Sequence, residues 1–223
     1  MRRLVLSIVV AALIAAPVFA GPTVKVTRTD GYFFGNGGEF TLLPNADLSW
    51  VLGLYNPKAQ VSPDTFQSFC GEKSEIVVLG RTYDVVLSDR TFGQPTENPL
   101  SIGVAWLYHE FQSGDLVGYD YTPGVGRGDD AFALQKTIWW LEGDMADPGA
   151  GNEFRNLVLD QFGTPAAAMA DNNHAYPVAL MNLFYRTGEP AQDMLVCVPA
   201  PGSILLVALG TGLIGWLRRR GTV

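Results

Sequence analysis

Gln135 is the residue of this chain whose type conflicts most with its surroundings. It lies at helical spacing with Ala131, Phe132, Ile138 and Trp139, so its carboxamide points along an apolar face rather than into water. A buried amide without partners costs about 1–3 kcal/mol. Two compensations are open: hydrogen bonds to neighbouring backbone, as in a satisfied core glutamine, or a covalent bond to a cysteine sulfur. Cys70 ends an alternating, aromatic-flanked stretch, Phe66-Gln67-Ser68-Phe69-Cys70, where a buried thiol is otherwise only a small hydrophobe. A disulfide between Cys70 and Cys197 is the rival use of that sulfur, closing a long loop and adding a few kcal/mol in an oxidising compartment.

The remaining candidates are sparser. His109, beside Tyr108 and Glu110, can either move a proton or sit idle on a helix. Trp139 and Phe69 read equally as shields against water and as ordinary core. Glu110 and Glu142 are the pair a glycosidase would need, but acids this scattered form a solvated surface. The chain has no Gly-x-Ser-x-Gly elbow and no phosphate loop. Its two Cys and two His give no zinc spacing. Neither an enzyme, a metal nor a cofactor is expected.

The elements that must position Cys70 and Gln135 can be read coarsely. Residues 23–28 alternate as a strand, 35–38 form a turn, and 39–42 and 65–70 are further strands. Residues 75–79 and 82–87 suggest a hairpin across Gly80. From about 99 to 172 the pattern turns helical. Ser101 caps a helix through Phe111, a Gly-rich loop over 122–128 ends in Asp129-Asp130 as the start of a helix from Ala131 to Glu142, and a third helix covers 152–161. An Ala-rich turn or helix follows at 165–170, and strands return at 178–185 and 193–198. The fold class expected is α+β: a β-sandwich or barrel-like domain over 21–198 with a helical insertion, flanked by a cleaved signal peptide and a short C-terminal membrane helix.

Both ends carry address signals. Arg2-Arg3, a run of Leu, Val, Ile and Ala, and Val18-Phe19-Ala20 before Gly21 make the basic, apolar and small-residue regions of a signal peptide over 1–20. At the other end Pro199-Ala200-Pro201 precedes an apolar run over 204–217 and then Arg218-Arg219-Arg220. Such a helix reaches only about 20 Å against a hydrocarbon core of about 30 Å. This order over 199–220 resembles the PEP-CTERM sorting signal, although that family has Pro-Glu-Pro where this chain has Pro-Ala-Pro. The resemblance implies an exosortase-type processing enzyme as a partner. It also implies a protein held at the inner membrane through its C-terminal helix in transit, and afterwards in the cell envelope, on the outer surface or in the extracellular matrix. All 22 acidic residues lie between the two signals, whereas five of the 15 basic ones lie within them; the strongly acidic middle argues against a nucleic-acid partner.

The pairing of an aromatic-Cys strand with Leu134-Gln135-Lys136-Thr137-Ile138-Trp139 resembles the bacterial thioester domain, whose second motif is Thr-Gln-x-Ala-Ile-Trp. The match holds at Gln135, Ile138 and Trp139, with Leu134 and Thr137 replacing the usual Thr and Ala. In the first motif Gly71 follows Cys70 where the family has a larger apolar residue, and Glu72 matches its acidic position. The resemblance implies an internal Cys70–Gln135 thioester that couples once to an amine- or hydroxyl-bearing surface protein or exopolysaccharide, for adhesion or crosslinking and without turnover. The alternative is a non-covalent matrix module with the Cys70–Cys197 disulfide.

Overall fold

The computed structural model describes residues 21–92 and 97–200. The expected signal peptide over 1–20, Pro201 and the arginine cluster Arg218, Arg219 and Arg220 lie outside the described residues. Among the described residues are eight strands and four α-helices: β1 (Thr23–Thr27), β2 (Phe33–Phe34), β3 (Gly37–Gly38), β4 (Phe40–Pro44), β5 (Phe66–Ser68), β6 (Thr82–Ser88), α1 (Ile102–Ser113), α2 (Val125–Leu141), α3 (Glu153–Phe162), α4 (Pro165–Ala168), β7 (Val178–Phe184) and β8 (Met194–Cys197).

Six strands form one antiparallel sheet in the order β5-β4-β1-β6-β7-β8. β-branched residues at alternate positions turn one face inward, as in β1, where Val24 and Val26 are buried between partners on β4 and β6. The two edges then meet. Just past β5, Cys70 pairs with Met194 of β8; Leu195 N donates to Phe69 O at 3.0 Å and Gly71 N to Asp193 O at 2.8 Å. The sheet is therefore a nearly closed β-barrel, the barrel-like alternative of the sequence reading, and its closing seam runs through Cys70. Closure removes the unpaired edges that an open sheet would offer to other chains.

The helices enter between β6 and β7 and cover one side. Val104, Leu107, Tyr108 and Phe111 of α1 are fully buried and supply much of the core. Ser101 caps this helix by accepting from Val104 N, and Gly114 ends it with φ 77°, a left-handed turn that costs glycine nothing. Asn152 and Thr164 cap α3 and α4 in the same manner.

Two local expectations are corrected. The helix bearing Gln135 begins at Val125 rather than Ala131, because the glycines there serve close approach, not flexibility. A Cβ on Gly128 would stand 2.9 Å from the backbone oxygen of Phe33. Asp130 spends its carboxylate on Asp120 N instead of capping its own helix. Residues 75–79 do not form the expected hairpin with β6. They run outside the barrel, pinned where the Tyr83 hydroxyl accepts from Val78 N at 2.7 Å.

A third correction concerns the membrane. Among the described residues no helix is long and apolar enough to cross one; α2, with 17 residues, carries Arg127, Asp129, Asp130 and Lys136. This removes the support for a C-terminal membrane helix, for the membrane as a partner and for an inner-membrane tether. The apolar run at 204–217 on which they were placed is itself short for a span and lies outside the described residues.

Candidate functional site

Gln135 and Cys70 meet where α2 crosses the barrel seam. The Cys70 backbone N–H donates to Gln135 Oε1 at 3.0 Å, and Gln135 Nε2 donates to the Cys70 carbonyl at 2.9 Å. Both residues are buried, Gln135 completely. Each polar atom of the amide thus has a backbone partner without water. The same arrangement also aims a backbone donor at the carbonyl oxygen that would carry negative charge if a nucleophile attacked Cδ, which is the geometry of an oxyanion hole.

Three features hold the pair in place. α2 lies so close to the β2–β3 hairpin that a Cβ on Gly37 would be 2.6 Å from the Phe132 ring and 3.5 Å from Gln135 Cγ. A wholly buried ion pair ties the start of α2 to the residue before β4: Glu39 accepts from Arg127 Nε and Nη2 at 2.6 and 2.8 Å and from the Tyr119 hydroxyl at 2.6 Å. Burial pushes the Glu39 carboxyl up while Arg127 pulls it back. On Arg127 the opposing effect of burial is outweighed by Glu39, and its guanidinium ends above its ordinary value. The bidentate fork with a third donor is that of an ionised carboxylate. Lastly, Gly71 packs closely on β7, where a Cβ would fall 2.7 Å from Leu180 Cδ2 and force that side chain to shift.

A groove of about 580 Å³ opens beside Cys70, lined by Arg28, Cys70, Lys73, Glu75, Trp139 and Gln192. Arg28 is held by the carbonyls of Gly35 and Asn36 and stacks over Phe40, 4.1 Å from the ring centroid. The Cys70 thiol is pushed up to about 12 by burial, with Arg28 drawing it down and Glu72 raising it further. It is therefore a protonated thiol at neutral pH, not a free thiolate.

No protein-family model, curated protein or solved structure matches the chain. What the site can do is argued from its own geometry.

The other expected residues divide. Trp139 lines the groove with Cys70 and presents an indole nitrogen that has no hydrogen-bond partner. Phe69 points the other way, its ring 5.0 Å from Phe111 and 6.4 Å from Tyr108 on α1, so it is core. His109 is occupied away from the groove, with Gln112 on its Nδ1 and its ring 5.9 Å from Tyr176. Glu142 accepts from Ser101 N at the entry to α1, whereas Glu110 lies near the other end of that helix. Cys70 and Cys197 are both free thiols. Cys70 sits opposite Met194, three residues before Cys197 on the same strand. That offset places Cys197 about 10 Å along the strand and on its other face, beyond the roughly 7 Å that a disulfide spans. Of the tail motif, Pro199 and Ala200 lie in irregular chain after β8.

A second group at the seam was missed. Carboxylate oxygens of Glu72, Glu75 and Asp193 lie within 4.8 Å of one another. Glu72 and Asp193 are 2% and 1% exposed. In the sequence Glu72 stands out only as a motif position, and nothing in the local pattern marks Asp193 beyond an acid at the threshold of the apolar strand Met194-Leu195-Val196-Cys197.

Proposed function

We propose that this protein is a single-use covalent coupling module, in which the Cys70 sulfur and the Gln135 side chain form an internal thioester. The sulfur attacks Gln135 Cδ, the C–N bond breaks, and the thiol proton leaves with ammonia. An amine or hydroxyl on a partner surface protein or polysaccharide then attacks the same carbon. The new amide or ester stays on residue 135, and Cys70 regains its thiol. One bond forms per molecule, so no turnover follows.

The observation that carries this reading is the hydrogen bond from the Cys70 N–H to Gln135 Oε1. It places the nucleophile's own residue against the electrophile and supplies the donor that stabilises the tetrahedral oxyanion. Placement of this kind lowers a barrier by about 7–11 kcal/mol, which an unactivated amide needs. Burial of Cys70 and Gln135 keeps bulk water from the stored electrophile, and Trp139 lines the groove beside Cys70. The same two hydrogen bonds also suit a non-covalent binding module in which Gln135 is only a satisfied core amide.

Intact mass of the purified, unreduced chain separates the two. A thioester lowers the mass by one ammonia, and methylamine adds its own mass at residue 135 while freeing one thiol. Cys70→Ala and Gln135→Ala each abolish both changes. An unmodified mass that methylamine leaves unaltered selects the non-covalent module.

A further inference from the structure

Four buried carboxylate oxygens beside the barrel seam have no hydrogen-bond partner: both of Glu72, Oε2 of Glu75 and Oδ1 of Asp193. Among the described residues none of these three acids is in an ion pair. Native proteins satisfy nearly all buried polar atoms, and three carboxylates at this spacing repel one another as well. The backbone around them is committed elsewhere. The Asp193 carbonyl accepts from Gly71 N, the Glu72 carbonyl from Gln192 Nε2 at 2.6 Å, and Asp193 Oδ2 from Phe92 N at 2.7 Å. The free oxygens are thus held by a rigid frame while pointing at each other.

We propose that Glu72, Glu75 and Asp193 form a binding site for a hard divalent cation of the calcium type. The ligand atoms are all oxygen, which such ions require. Oxygens on one calcium ion at about 2.3–2.6 Å lie at most about 5 Å apart, and these lie within 4.8 Å of one another. Without a cation, burial drives protons onto the group, lifting Glu72 to about 9 and Asp193 to about 7. A cation supplies the missing charge instead. The site stands whether or not a thioester forms, since it draws on neither the Cys70 sulfur nor Gln135.

Calorimetric titration and thermal unfolding of the full chain, after treatment with a chelator, test it. Calcium is expected to bind at one site per chain and to raise Tm by roughly 5 °C at saturating concentration. Glu75→Gln, at the most accessible ligand, is expected to lose most of that rise and to weaken binding at least about tenfold. Asp193→Asn, which keeps the acceptor for Phe92 N, should do the same. No heat and no shift in the unaltered protein overturn the proposal. So do unchanged calcium affinity in both variants and a response to magnesium or zinc but not to calcium.

Discussion

Glu39 and Glu72 are buried to nearly the same degree, at 0% and 2% exposure, and keep opposite company. Glu39 has a bidentate arginine and a tyrosine hydroxyl. Glu72 has two other acids and no donor. A buried charge is tolerated only when paired and hydrogen-bonded, so the first arrangement is complete as it stands and fixes α2 on the barrel. The second is complete only with something added. The contrast sets a glutamate that serves the architecture beside one that, on the proposal above, serves a ligand, although both are buried in the same barrel.

The sharpest way to break this comparison is at the complete site. Glu39→Gln leaves Arg127 charged and underpaired in the interior, and is expected to cost about 3–5 kcal/mol in denaturant unfolding. A much smaller loss would mean that Glu39 is as poorly accommodated as Glu72. Glu142 offers an intermediate case: partly buried, with one backbone donor from Ser101 and a carboxyl pushed up to about 7 by burial. Its ordinary value is 4.5, so the folded state holds the proton more tightly than the unfolded one. Stability therefore falls as pH rises from about 4.5 to about 7. Glu142→Gln keeps the acceptor for Ser101 N and should stabilise the protein by about 1–2 kcal/mol above that window, after discount for its exposure, with the gain vanishing below it. The smallest effect is expected at the incomplete site. In the presence of a chelator, Glu72→Gln should leave stability near neutral pH unchanged to within about 1 kcal/mol, because burial already keeps a proton on that carboxyl and the amide replaces one neutral group with another. A loss as large as that of Glu39→Gln would erase the distinction between the two glutamates.

How far the sequence disclosed this architecture depended on the range of the interaction. The Ser101 cap and the alternation of β1 act within a few residues, and their elements lie where the pattern puts them. Gln135 was visible for the same reason: a polar amide on an apolar helical face breaks a local period. The start of α2 was misplaced because Gly126 and Gly128 look like loop until Asp120 and the Phe33 carbonyl are seen against them. The barrel's closure, the Glu39–Arg127 pair and the acid cluster join segments far apart in the chain, and no local pattern marks their partners. Residues 75–79 had the composition of a strand but lacked an edge to pair with, since β6 is already occupied by β1 and β7.

The two anchors of α2 have a mechanical consequence. A partner coupled at Gln135 would pull on the middle of a helix whose first turn is tied to the barrel through Arg127 and Glu39 and whose far end is tied to α1 through Glu142 and Ser101. Tension would divide between two tethers on either side of the attachment point. Failure would then require both to shear together, a stiffer response than unravelling the helix from one free end.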